Sequence, residues 1–222
     1  MELRAASPRS LRLRAPRDDA DRPVDELITL ELVEDTIEAG PLRLSILRPP
    51  DPDSMIDEAR FDEDEFMPYW AELWASGIAV AAVVAARDVR EQRVLELGCG
   101  LGLPSIAAAL GGAEVLATDW APEALDVTHR NADRNGARLE TLLADWSRPA
   151  ELLARAPFDL VLCADVLYEP RNVDALLELL PQLTNEVLLG EPGRATAGRF
   201  FEGAERSWLI GREGEVSVLR RR

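Results

Sequence analysis

Residues 93–102, Arg-Val-Leu-Glu-Leu-Gly-Cys-Gly-Leu-Gly, constrain the fold more than any other stretch of the chain. A short apolar run carries an acid near its end, a glycine-rich turn follows, and Leu103–Leu110 reads as a helix. This is the strand–turn–helix that opens a nucleotide-type binding fold. The glycines let the backbone turn sharply and approach a ligand closely, which a Cβ prevents. About twenty residues later, at the distance such folds use, a second apolar run, Glu114–Thr118, ends in Asp119. A carboxylate at the tip of the second strand is placed to hydrogen-bond ribose hydroxyls. The competing reading makes Asp119 a cap for the helix that starts at Pro122.

The rest of the chain must supply a core around that turn. A length of 222 residues suits one α/β domain with a modest N-terminal addition, and 47% apolar content supports a packed interior. The longest apolar run, Gly77–Ala86, falls short of the roughly 18–20 residues that cross a bilayer. Five arginines by Arg17 precede no apolar signal segment, so a cytoplasmic protein is expected, away from membranes. Cys99, in the glycine turn, and Cys163, in a predicted strand, read as free buried thiols. His129, the single histidine, falls on a polar helix face. One histidine and two separated cysteines do not make a zinc site, and no metal is expected.

All 25 basic residues are arginine; there is no lysine. Schiff-base chemistry and a Walker A loop both require one and are excluded. The net charge of −16 argues against a nucleic-acid partner. Basic residues gather at the two ends, Arg4–Arg17 and Arg220–Arg222.

Residues 1–24 read as a disordered arm, and residues 25–68 as a β-hairpin followed by an acidic loop. The hairpin is predicted from Ile28–Leu32 and Leu42–Leu47 with a turn at Glu38–Pro41, and the loop runs from Asp51 to Glu65. From residue 69 to 222, strands alternate with helices. Strands are predicted at Val94–Leu97, Val115–Thr118, Leu139–Leu143, Phe158–Ala164 and Glu186–Leu189. Helices are predicted at Gly77–Arg87, Leu103–Leu110, Pro122–Asn135, Ala150–Arg155, Val173–Leu180 and Ala195–Ser207. A terminal hairpin is predicted from Trp208–Ile210 and Glu215–Leu219. This order implies an α/β, Rossmann-like, seven-stranded, mostly parallel sheet with helices on both faces.

The turn spacing is Gly98-x-Gly100-x-Gly102, not the GxGxxG of dinucleotide sites, and points to S-adenosylmethionine (SAM) over NAD. The first helix's positive end and the Gly98–Gly102 N–H groups suit the methionine carboxylate of SAM. Trp120 and Trp146 offer ring faces for adenine, with Trp146 favoured and core packing the alternative role. Trp74 reads as a neighbour of the cofactor or as core.

Val94–Gly102, Asp119, Asp145-Trp146 and Phe158–Asp165 together resemble the strand-end signals of class I methyltransferases, over Tyr69 to Arg194. The resemblance implies SAM as cofactor, with contacts from Trp74, Glu96, Gly98, Cys99, Gly100, Gly102, Asp119, Trp120, Asp145, Trp146 and Ala164. Pro68–Gly77 and Asp165-Val166-Leu167-Tyr168 resemble the aromatic segment and D-x-x-Y motif of seven-strand protein lysine methyltransferases. Leu189–Arg194 resembles the G-D-P-G-R segment of the group that includes the electron-transfer flavoprotein β-subunit lysine methyltransferase and its bacterial relatives, with Glu191 in place of aspartate. In that frame Asp165 holds the incoming amine, Tyr168 walls the methyl channel, Glu191 helps hold substrate and Arg194 fixes the loop. The alternative roles are a helix cap and packed ring for Asp165 and Tyr168, and a surface turn for Glu191–Arg194. The implied function is methyl transfer to a protein lysine. A small-molecule N- or O-methyltransferase and a non-catalytic SAM-fold partner protein are the alternatives.

Overall fold

A computed structural model describes residues 30–52 and 68–222. The N-terminal arm and most of the acidic loop expected from sequence lie outside the described residues. Strand β1 (Val33–Ala39) pairs antiparallel with β2 (Leu42–Arg48). Then come a 3-10 turn at Tyr69–Ala71, α1 (Ala75–Ala85), β3 (Arg93–Leu97), α2 (Leu103–Leu110) and β4 (Glu114–Asp119). They are followed by α3 (Pro122–Arg134), β5 (Glu140–Leu143), α4 (Ala150–Arg155), β6 (Leu160–Ala164) and α5 (Pro170–Leu183). The chain closes with β7 (Glu186–Gly190), α6 (Ala197–Ala204), β8 (Trp208–Glu213) and β9 (Val216–Arg221).

The main sheet has seven strands in the order β5-β4-β3-β6-β7-β9-β8. The first five are parallel, and β9 and β8 add an antiparallel edge. The parallel strands are apolar nearly throughout because both faces are covered. Leu95 and Leu97 of β3, Val161 and Cys163 of β6, and Val187 and Leu189 of β7 share one core with Leu152 of α4, Leu176 of α5 and Phe200 of α6. The alternate residues face the other way. There Glu96 meets Ser105 of α2, and Gly190 lies against Val80 and Ser76 of α1. The chain runs β3 to β5 in one direction and returns to β6 on the far side of β3. That reversal opens a crevice at the carboxyl ends of the strands.

Several expected boundaries move: α1 spans Ala75–Ala85 in place of Gly77–Arg87, and β6 starts at Leu160 in place of Phe158. The first strand of the N-terminal hairpin begins at Val33 and leaves out Leu30–Leu32, while Ile28 and Thr29 lie outside the described residues. Gly40, at φ +59°, and Pro41 form a two-residue turn that sets Ala39 opposite Leu42, so the strand must abut the turn. The terminal hairpin likewise turns at Gly214-Glu215, with Glu213 opposite Val216. Helix α5 extends to Pro170, which suits a first turn because its missing N–H is unneeded there, and tolerates Pro181 close to its end. Helix α6 is shorter than expected at both ends. His129 lies on an exposed face of α3, 3.9 Å from Asp133.

Close packing at Gly190 gives a test. A Cβ there would lie 2.7 Å from Val80 Cγ2 and 2.8 Å from the Ser76 carbonyl oxygen. Gly190→Ala is expected to lower unfolding free energy by about 1–3 kcal/mol, the usual cost of overpacking. Gly198→Ala, where a Cβ meets nothing within 4 Å, is expected to be neutral or to stabilise by about 0.4–1 kcal/mol. Urea unfolding of both variants decides; equal stability would refute direct packing of α1 on the end of β7.

Candidate active site

The crevice is a cleft of about 920 Å³ over the carboxyl ends of β3, β4, β5 and β6. Its floor is the glycine turn. Gly98, Gly100 and Gly102 have φ of +71°, +51° and +83°, a region that side-chain-bearing residues rarely adopt. Space forbids a side chain as well: a Cβ on Gly100 would lie 3.0 Å from the Trp70 carbonyl oxygen, and one on Gly102 2.8 Å from Thr128 Cγ2.

Asp119 locks this turn to the next strand. Its Oδ2 accepts the Gly100 N–H at 3.0 Å and its Oδ1 accepts the Ala121 N–H at 3.0 Å. Burial raises its pKa against the pull of these bonds. The Trp120 N–H adds a third bond, which leaves acceptor capacity for a hydroxyl as well. Part of the alternative reading therefore holds, since the carboxylate also secures the entry to α3.

Glu96 is buried beneath the turn. Its Oε2 accepts the Ser105 N–H at 2.9 Å and the Ser105 hydroxyl at 2.5 Å. Its Oε1 has no hydrogen-bond partner among the described residues, although the residue lines the cleft. Burial, reinforced by Asp119, pushes its pKa up to about 8 against the two Ser105 bonds. Cys99 and Cys163 are free and buried, and burial raises both thiols, so neither is a ready nucleophile.

Above the turn, Trp146 approaches Gly98: a Cβ there would lie 3.6 Å from Trp146 Cζ2. Trp120 is half exposed at the rim, and Ala164 borders the cleft at the end of β6. Asp145 also lines the cleft, but its carboxylate turns onto its own loop, accepting the Ser147 N–H at 2.8 Å and Arg148 Nε–H at 3.1 Å. Partial burial would raise its pKa; the bonds from Ser147 and Arg148 outweigh that and lower it.

The other half of the cleft is aromatic. Tyr69 and Tyr168 stand 5.1 Å apart between ring centroids, and Tyr69 and Trp74 6.5 Å. Trp74 Nε1 donates to the Tyr69 carbonyl at 2.9 Å. Burial pushes the Tyr168 hydroxyl up to about 12, so it stays protonated near neutrality.

Two expectations are corrected here. Asp165 does not offer a free carboxylate to an amine. Its Oδ1 and Oδ2 accept Arg194 Nε–H at 2.8 Å and Nη2–H at 2.6 Å, a forked pair with the aspartate buried. Asp165 holds φ +54°, which aspartate tolerates better than most residues, and its N–H donates to Gly190 at 2.8 Å. Arg194 in turn lies 5.3 Å from the Trp74 ring centroid. Glu191 is absent from the cleft lining; its Oε2 accepts the Gly193 and Arg194 N–H groups at 2.7 and 3.1 Å, which closes its own turn. Arg194 fixes this loop, as expected. Tyr69, Ser105, Thr128 and Asn131 were missed; the 128/131 spacing along α3 was the one available signal for the last two.

No cluster of three or more His, Cys, Asp or Glu able to hold a metal occurs among the described residues. The donor set fits SAM instead. Gly98 and Gly100 leave room that a Cβ would fill, the orphaned Glu96 oxygen suits an ammonium, whose charge favours the ionised acid, and Asp119 retains acceptor capacity for a hydroxyl.

Fold and cleft together are those of a Rossmann-like domain whose donors suit SAM. Residues 58–202 match the lysine methyltransferase family, and the chain belongs to it. It is 35% identical over 137 residues to the electron transfer flavoprotein beta subunit lysine methyltransferase of Xenopus laevis, covering 58% of this chain and 54% of that protein. It is 30% identical over 115 residues to the histone-arginine methyltransferase METTL23 of the same species, covering 49% of each. The chain thus spans about half the length of the curated relatives it matches. In fold it is similar to the T. thermophilus 16S rRNA N2 G1207 methyltransferase RsmC, in complex with AdoMet and guanosine, at TM-score 0.62 and 15% identity, over 86% of this chain and 51% of that one.

Two predictions follow from the buried charges. Folded Glu96 keeps its proton up to about pH 8, whereas an unfolded glutamate loses it near 4.5. Between those values the folded state binds more protons, so this residue's effect is to lower stability as pH rises. Glu96→Gln should flatten that fall; parallel wild-type and variant Tm curves between about pH 5 and 8.5 would contradict the assignment. Arg194→Met strands a buried carboxylate and should cost about 2–3 kcal/mol, between exposed and fully buried pairs. Adding Asp165→Asn should recover part of it, and purely additive losses would show that the pair is not coupled.

Proposed function

We propose that this chain transfers a methyl group from SAM to the side-chain nitrogen of a lysine in another protein. The observation that carries this reading is one cleft with two different halves. The glycine turn, Glu96 and Asp119 line one half; Tyr69, Trp74, Tyr168 and the Asp165–Arg194 pair line the other. Family membership supports the choice of lysine.

SAM supplies a methyl group already activated on a sulfonium, so the protein mainly orients and desolvates the acceptor. In this reading the N–H groups at the start of α2 face the methionine carboxylate, and Glu96 Oε1 faces its ammonium. Asp119 accepts the ribose hydroxyls. Trp146 stacks on or packs beside the adenine, with Trp120 closing the rim. Cys99 and Ala164 shape the floor, and Gly102, behind the lining, turns the chain into α2. Asp145 acts through its loop.

The acceptor amine must lose a proton, from an unperturbed pKa near ~10.4. An aromatic pocket excludes water and lowers that value. The Arg194 guanidinium, one-third exposed in the cleft while its partner Asp165 is buried, further disfavours a second cation nearby. Asp165 is thereby a positioning residue for Arg194, and Tyr168 is a wall with a protonated hydroxyl. We place the enzyme in the cytoplasm, where free thiols such as Cys99 and Cys163 persist.

The test is methyl transfer from radiolabelled SAM into a protein extract of the source cells, separated by size and acid-hydrolysed. Methyl-lysine in one or a few protein bands is the expected outcome. Methyl-arginine would redirect the reading to guanidinium acceptors, and label confined to small molecules would refute a protein acceptor. The enzyme has no lysine, so methyl-lysine in these bands cannot be self-labelling.

A further inference from the structure

The β1–β2 hairpin precedes the matched family span, residues 58–202, yet one side chain ties it to the glycine turn. Asn131 and Asn135 stand one turn apart at the end of α3. Asn131 Oδ1 accepts the Leu47 N–H at 2.7 Å, and its Nδ2 donates to the Leu47 carbonyl at 3.1 Å. Asn135 repeats the pattern at Ser45, at 2.9 and 2.8 Å. Residues two apart on a strand present their backbone groups to the same side. The two amides therefore bond β2 as a neighbouring strand would. Arg134 adds a grip, donating from Nε to the Ser45 hydroxyl at 3.1 Å and pairing with Glu34 at 2.5 Å.

Asn131 does one thing more. Its Nδ2 also donates to the Leu101 carbonyl at 3.0 Å, inside the Gly98–Gly102 turn. The residue is fully buried. Both hydrogens of its amide are used, one on the hairpin and one on the turn. One helical turn earlier, the Thr128 hydroxyl donates to the Gly100 carbonyl at 2.9 Å. Helix α3 therefore carries a row, Thr128–Asn131–Asn135, that holds the glycine turn at one end and the hairpin at the other. Asn131 is the member shared by both.

We propose that the hairpin is an accessory part of the cofactor site and that Asn131 is the positioning residue coupling them. This rests on reading the glycine turn as the SAM cradle. Two bonds to Leu47 fix the rotation of the Asn131 amide, and that rotation aims its remaining hydrogen at Leu101. Hairpin docking thereby favours the binding-ready turn, and by linkage SAM binding tightens hairpin docking to the same degree.

The experiment is residue-resolved amide exchange by NMR on the full chain, with and without saturating SAM. The Leu47 amide is expected to slow on SAM addition by more than reference amides in β8 and β9, which report global stabilisation alone. Asn131→Ala should abolish that excess and weaken SAM binding by about tenfold, the equivalent of one lost buried hydrogen bond. Asn135→Ala cuts bonds to Ser45 but none to the turn, and should leave SAM affinity within about twofold, on the same scale. Should Asn131→Ala fail to fold, the wild-type exchange comparison decides by itself. SAM binding with no excess slowing at Leu47 overturns the coupling and leaves the cofactor reading intact. Absence of SAM binding to the folded wild-type chain overturns the cofactor reading itself.

Discussion

The bond from Gly100 N–H to Asp119 Oδ2 is the constraint on which the cleft depends. It joins the loop after β3 to the tip of β4, so the ends of the two parallel strands move as one. The carboxylate that makes it is buried, which is costly unless its oxygens are hydrogen-bonded. Three backbone N–H groups meet that need, from Gly100, Ala121 and Trp120. Glu96 lies under the same turn and meets the cost differently, by holding its proton to about pH 8. The site thus contains two buried acids whose pKa values burial raises, one held by backbone N–H groups and the other bonded to Ser105 through a single oxygen.

The opposite half of the cleft rests on a different device. Asp165 and Arg194 come from the ends of neighbouring parallel strands β6 and β7, where Ala164 pairs with Gly190. The strand register delivers both side chains to one place, and the forked geometry uses both aspartate oxygens. Arg194 then packs against Trp74, which is itself bonded to Tyr69. The Arg194 guanidinium therefore ties the aromatic wall to the ends of β6 and β7, beside the packing of α1 on the sheet. That explains why Glu191 folds back: its carboxylate shapes the turn that delivers Arg194.

The sheet and the cofactor half were legible in the sequence because both are local signals. Leu103–Leu110 was read at its observed bounds, and the glycine turn with Asp119 declares itself by spacing. Hairpin bounds were not legible, because the alternation of apolar residues continues past the strand on which Gly40-Pro41 imposes its register. Asp165 was placed correctly at the cleft, but its partner could not be read. Arg194 lies 29 residues away, and nothing in the intervening sequence says that the arginine, in place of a substrate amine, will take its oxygens. Asn131 was missed for a related reason. An asparagine in a helix looks like a surface residue until a strand is laid against it.

On the proposed reaction, these charges constrain how an acceptor enters. SAM is cationic at the sulfonium, and Arg194 stands in the same cleft with its partner carboxylate engaged through both oxygens. The Tyr168 hydroxyl, pushed up to about 12, is not a base near neutrality. Outside the Asp165–Arg194 pair, Glu72 and Glu169 also line the cleft, and Glu169 is paired with Arg171. Glu72, at the lining of the cleft, attracts a cationic side chain from outside, while the interior selects against the charge it carries. The proton is then best lost to water at the mouth, before Tyr69, Trp74 and Tyr168 close around the amine. In the proposed reaction lysine fits that order of events better than arginine, whose guanidinium stays charged and would need a carboxylate of the kind that Arg194 has already taken.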